Sequence, residues 1–124
     1  MTKNLVSVRG DSIKIYLVFS LDGVPIDITG WTVYFTVKQN EDDPDSSAVI
    51  SKTVTTHTDP TQGKTLIEVS ADETYNLLGQ YFYDVQSKNT DDEIKTPVFG
   101  SILFEKDVTR RGSSGYSGDS GFSG

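Results

Sequence analysis

Alternation at period two dominates this chain and restricts it to strands. From Ser12 to Phe19, Ile13, Ile15, Leu17 and Phe19 fall on one side, with Ser12, Lys14, Tyr16 and Val18 on the other. From Trp31 to Lys38, Trp31, Val33, Phe35 and Val37 oppose Thr32, Tyr34, Thr36 and Lys38. Tyr81, Tyr83 and Val85 alternate with Phe82, Asp84 and Gln86, and Val98, Gly100, Ile102 and Phe104 with Phe99, Ser101, Leu103 and Glu105. Successive side chains of a strand leave opposite faces, so each run presents one face to a core. A helix, at 3.6 residues per turn, would scatter the same residues around its axis. Weaker strands are expected at Leu5 to Val8, Ala48 to Thr55 and Lys64 to Val69.

The breaks between runs carry turn chemistry. They are Arg9-Gly10-Asp11, Asp22-Gly23, the lead-in Val24 to Gly30, the acidic loop Glu41 to Ser47, Asp59 to Gly63, and Lys88 to Glu93. One segment departs from the strand period. Ser70 with Glu73 forms a capping-box pattern, Leu77 and Leu78 follow, and Gly79 suits a helix end, which predicts a short helical crossover over Ala71 to Leu78. About seven short strands with one helical crossing predict an all-β sandwich over residues 1–109. The Cys–Trp–Cys signature of antibody domains is absent, and Trp31 is a candidate core aromatic.

Residues 110–124 follow a different rule. Gly112, Gly115, Gly118, Gly121 and Gly124 recur at every third position, and Ser fills each Y position between them. Three polyproline-II chains can wind together only where every residue at the shared axis lacks a side chain, so these glycines are the predicted axis of a collagen-like triple helix. At an average glycine usage of about 7%, five in phase arise by chance about once in a million start sites. A flexible Gly/Ser linker is the competing reading, supported by the lack of Pro in the repeat. Strict phase, together with Tyr116 and Phe122, favours the triple helix. The repeat is short and Pro-poor, so neighbouring domains are expected to align three chains. It stops on a glycine in mid-triplet, and the natural protein is expected to continue.

Composition narrows the function. Asp and Glu outnumber Lys and Arg 18 to 11, a formal net charge of -7. Arg110-Arg111 is the one basic cluster, so nucleic acid is not an expected partner. The absence of cysteine excludes disulfides, thiolate metal sites and cysteine nucleophiles. No apolar stretch has the length of a membrane span, so no membrane is expected as a partner, and Met1 to Leu5 lacks the apolar region of a signal peptide.

Catalytic and metal motifs are weak throughout. Gly118-Asp119-Ser120-Gly121 matches a serine-protease tetrapeptide but sits inside the triplet repeat, and His57, the single histidine, reads as an exposed surface residue. Arg9-Gly10-Asp11 matches an integrin-binding tripeptide, but three residues are a weak motif and the stretch reads as a turn between two strands. Asp42, Asp43 and Asp45 lack the Gly and Glu that a calcium loop needs, since Ala48 and Val54 stand there. Asp91, Asp92 and Glu93 read as a solvated loop. No enzyme, metal or cofactor is expected.

Several stretches of the body resemble a known family. Arg9-Gly10-Asp11-Ser12, Gly23-Val24-Pro25-Ile26-Asp27-Ile28-Thr29-Gly30-Trp31, Leu78 to Gln86 and Phe99 to Thr109 are similar to the N-terminal domain of the phage upper-baseplate family, over about Val8 to Thr109. The resemblance implies an immunoglobulin-like sandwich that assembles or attaches, commonly in trimers, within tailed-phage baseplates and fibres. Such fibres also carry collagen-like stretches, including Pro-poor ones with Ser at Y. It implies no catalytic residues. The expectation is a virion protein, assembled in the host cytoplasm, that forms a homotrimer through its tail and contacts other virion proteins. Two variants stay open. One is a capsid head fibre or decoration protein. The other is a carbohydrate-binding module that contacts a host surface glycan through Tyr34, Tyr81, Tyr83 or Phe82.

Overall fold

In a computed structural model that describes residues 1–109, the chain forms nine strands and one short helix: β1 Leu5–Val8, β2 Ile13–Val18, β3 Ser20–Leu21, β4 Val24–Pro25, β5 Thr32–Lys38, β6 Ile50–Val54, β7 Lys64–Val69, α1 Ala71–Thr74, β8 Gly79–Lys88 and β9 Ile94–Glu105. Single 3₁₀ turns lie at Asp45–Ser47 and Pro60–Gln62. The glycines of the tail, Gly112 to Gly124, lie outside the described residues.

The strands form two layers. A five-stranded sheet runs in the order β1-β9-β8-β5-β6, and β2 pairs with β7 across from it. All neighbours are antiparallel except β1, which runs parallel to β9 from Leu5↔Ile102 to Val8↔Glu105. The alternation seen in the sequence sets the inward faces. Val33, Phe35 and Val37 of β5, Val85 of β8, Ile102 and Phe104 of β9, and Ile67 and Val69 of β7 are all at most 1% exposed. Burying each such side chain contributes about 1.5–3 kcal/mol. Ile13, Ile15 and Leu17 line the matching face of β2, opposite Val69, Ile67 and Thr65, and are only half-buried. The reason is that β2 is an edge strand. Between it and β1 lies a mainly apolar groove of about 440 Å³, lined in part by Leu5, Ile15 and Val98.

The two extra strands come from the Asp22-Gly23 turn. Both residues have positive φ, 53° and 80°, which closes the two-residue hairpin β3–β4 with Leu21 opposite Val24. Gly63 locks this hairpin to the body. Its φ is 73°, and a Cβ there would strike the carbonyl oxygens of Phe19 and Ile26. Phe19 N–H donates to Gly63 O at 2.8 Å and Ile26 N–H to Phe19 O at 2.9 Å.

Three expectations need correction. The helix stops at Thr74 rather than Leu78. The Thr74 carbonyl accepts from Leu77 N–H at 3.0 Å and Gly10 N–H at 3.2 Å, while its hydroxyl donates to Asp11 O at 2.7 Å. The chain is thereby pulled toward the Arg9–Asp11 turn. Gly79 then opens β8 opposite Phe104 instead of ending a helix. The last strand starts at Ile94, directly after the expected turn Lys88 to Glu93, and passes Pro97 through a bulge: Val85 pairs with Val98, but Ser87 pairs with Lys95. The extra residue spares Pro97 from the ladder bond it cannot donate. Trp31 is half-buried at the rim, edge-on to Phe19 at 5.8 Å, and is not part of the central core.

Candidate functional site

The outer face of the five-stranded sheet is where the polar positions of β5 and β8 meet. Register fixes the layout. Thr36 and Phe99 both lie opposite Asp84, Lys38 lies opposite Phe82, and Tyr34 lies opposite Gln86. Strand pleating sends these side chains to the face away from the core. A pocket of about 220 Å³ opens among them, lined in part by Thr36, Lys38, Glu41, Phe82, Asp84 and Gln86. The loop after β5 closes one side, where Lys38 Nζ meets Asp45 Oδ1 at 2.7 Å.

Asp84 sits at the centre and is half-buried. Burial pushes its carboxyl above the ordinary carboxylate range. The Lys38 charge opposes that rise and the Asp45 charge reinforces it. No hydrogen bond from another described residue reaches the Asp84 carboxylate, in contrast to those of Asp27 and Glu73. Asp27 accepts from Thr29 Oγ1 at 2.6 Å and Thr29 N–H at 2.9 Å, which lowers its pKa. At Glu73, burial acts upward but is outweighed by Lys52 at 2.6 Å and the Ser70 N–H at 3.0 Å, so its pKa is also lowered.

The aromatic platform considered from sequence divides between the two faces. Tyr34 and Phe82 are on the outer face, half-buried, with Phe99 beside them at 45% exposure. Tyr81 and Tyr83 point into the core, where Tyr81 meets Phe104 edge-on at 5.7 Å and Tyr83 tilts against Phe35 at 5.9 Å. The Tyr83 hydroxyl donates to Lys3 O at 2.7 Å, and burial raises its pKa. Phe99 and Asp84 were not singled out in the sequence. Their signal is a charge in mid-strand at an outward position, flanked by aromatics.

The remaining motifs serve local structure. Arg9 Nε donates to Asp107 Oδ1 at 2.7 Å, and Gly10 takes a φ of 84°, so Arg9-Gly10-Asp11 is a turn with its guanidinium engaged. Asp43 Oδ2 accepts from Asn40 N–H at 3.1 Å within the acidic loop. Asn89 Oδ1 accepts from Asp91 and Glu93 N–H, both at 2.9 Å, to shape the β8–β9 turn. Among the described residues no group of three His, Asp or Glu is placed to hold a metal ion.

His57 is more than the exposed surface residue expected. It is half-buried, with Nε2 at 2.8 Å from Trp31 O and Nδ1 at 2.8 Å from Thr65 Oγ1. A carbonyl only accepts, so Nε2 carries a proton, and in the neutral ring Nδ1 accepts from the Thr65 hydroxyl. The ring clips the β6–β7 connection to the start of β5.

These features define an all-β sandwich of the immunoglobulin-like type. Among solved structures, the chain is similar to the fibronectin(III)-like modules of Clostridium thermocellum CbhA, at 18% identity over 86% of this chain and 91% of that one, with a TM-score of 0.47. No protein-family model matches the chain, and neither does any curated protein.

Proposed function

We propose that the chain is a structural, non-catalytic component of a tailed-phage virion, a fibre or baseplate module whose sandwich anchors and whose tail joins three chains and extends them. The observation that carries this reading is the unbroken glycine phase from Gly112 to Gly124, placed directly after a small β-sandwich. A triple helix gains length at about 3 Å per residue without needing a core, which suits a fibre. The likeness of the body to upper-baseplate domains supports the same setting.

The way the chain leaves the sandwich fits a load-bearing role. β9 is held by β8 on one side and by β1 on the other. Just past its end, Asp107 is tied to Arg9. Two residues with chemical potential are occupied by the fold itself: His57 clips two backbone segments and Glu73 closes a helix start. A head-fibre or decoration protein would use the same parts, and its location on the particle is the difference.

Light scattering across a concentration series tests the trimer, on the whole chain and on a form ending at Arg111. The repeat is short and Pro-poor, so the expected result is a rise in mass toward three chains at high concentration that truncation removes. Identical masses for both forms at every concentration would count against the reading.

A further inference from the structure

The pocket around Asp84 has no role in joining chains through the tail, and its chemistry points to a ligand. Its base combines a half-buried carboxylate, an amide at Gln86 and a hydroxyl at Thr36, with an aromatic ring at Phe82. Exposed Phe99 and half-buried Tyr34 lie on the same face, one strand away on either side. We propose that this pocket binds one ring of a neutral pyranose sugar, with Asp84 and Gln86 bonding its hydroxyls and Phe82 against its C–H face.

The chemistry selects this ligand in steps. Asp84 accepts hydrogen bonds and receives none from the described residues, so a ligand must bring donors. The Lys38 ammonium is already paired with Asp45, while Glu41 adds a further carboxylate to the rim. Together with a chain charge of -7, this disfavours phosphates, sulfated glycans and other anions. The aromatic faces offer an apolar surface, and a ligand with hydroxyls along its edge and C–H groups on its flat side satisfies both features. The pocket volume of about 220 Å³ is below the roughly 300–1,000 Å³ typical of drug-sized sites. It therefore suits a single ring of a longer glycan.

A structural role for Asp84 does not account for its placement. A buried hydrogen-bonding group normally has partners, and a carboxylate held partly out of water without donors costs stability. A ligand that brings hydroxyl donors would meet that need.

Titration of the whole chain with D-galactose, D-glucose and N-acetyl-D-glucosamine, followed by amide NMR shifts, tests the proposal. The expected result is saturable shifts at Thr36, Phe82 and Asp84 with at least one sugar, at a Kd of about 1 mM, as befits a single small ring. Asp84→Asn and Phe82→Ala should each weaken binding about tenfold. Lys14→Ala, on the exposed face of the other sheet, should leave it unchanged. Circular dichroism verifies that the variants fold, and Asp84→Asn, nearly identical in shape, keeps the test valid if Phe82→Ala does not fold. Absence of saturable shifts with all three sugars would overturn the assignment. So would binding undiminished by Asp84→Asn, or saturable displacement of the same amides by ethylamine alone, which would mark a cation site. None of these outcomes bears on the trimer, which the light-scattering series tests separately.

Discussion

Gly63 and Asp84 hold opposite places in the energetics of single residues. Gly63 adopts a left-handed φ of 73° beside two carbonyl oxygens. Gly63→Ala would combine the left-handed penalty of about 1–2 kcal/mol with a backbone collision. The expected loss is therefore at least about 2 kcal/mol, read as a lower urea midpoint. Asp84 should behave in the other direction. Its carboxyl is raised by burial, so the fold favours the protonated acid. Its contribution is best at low pH and worsens as pH rises through the folded pKa. Asp84→Asn mimics the protonated form. It should raise the urea midpoint at pH 7, and the gain should shrink as the pH is lowered into the carboxylate range. A midpoint that falls at pH 7 would mean that the carboxylate is structurally satisfied.

Among the elements, α1 shows how a four-residue helix is held in place. Glu73 receives the Ser70 N–H and the Lys52 ammonium, and its pKa is lowered despite burial. The ionised form therefore stabilises the fold near neutral pH, and that stability is lost as pH falls through the folded pKa. Glu73→Gln keeps the cap's acceptor oxygen but removes the charge that meets Lys52, so it should cost about 0.5 kcal/mol at pH 7 and almost nothing at acidic pH. Urea melts of the two proteins at both pH values measure the difference. The capping box was legible in the sequence, whereas the length of the helix was not. Leu77, Leu78 and Gly79 read locally as a helix end, but the Thr74 carbonyl is shared with Gly10, more than 60 residues earlier in the chain. The inward faces of β5, β8 and β9 were legible because alternation is local to each strand. The bulge at Pro97 was not legible, since skipping its missing donor is decided by the partner strand. The same limit hid the pocket: Lys38, Thr36, Asp84 and Phe99 become neighbours only through the register of β5, β8 and β9. His57 was misjudged for a similar reason, its two partners being 8 and 26 residues away.

At the level of the molecule, the parallel pairing of β1 with β9 ties the start of the chain to the strand that leads into the tail. Arg9 and Asp107 add a half-buried ion pair at that exit, with side chains 18% and 14% exposed. In the proposed fibre, a sandwich built in this way would anchor the tail at its last strand. The central claim is that the tail glycines occupy a triple-helix axis, and it can be tested on the residues themselves. The chain is extended after Gly124 by Pro-Pro-Gly triplets, which keep the glycine phase and hold three strands together. The melting of the triple helix is then followed by circular dichroism in that protein, in its Gly118→Ala variant and in its Ser120→Ala variant. If the Gly-X-Ser triplets are wound into the helix, Gly118→Ala lowers the melting temperature clearly and Ser120→Ala has little effect. If all three proteins melt together, the repeat is a linker and the triple-helix account of the tail is wrong.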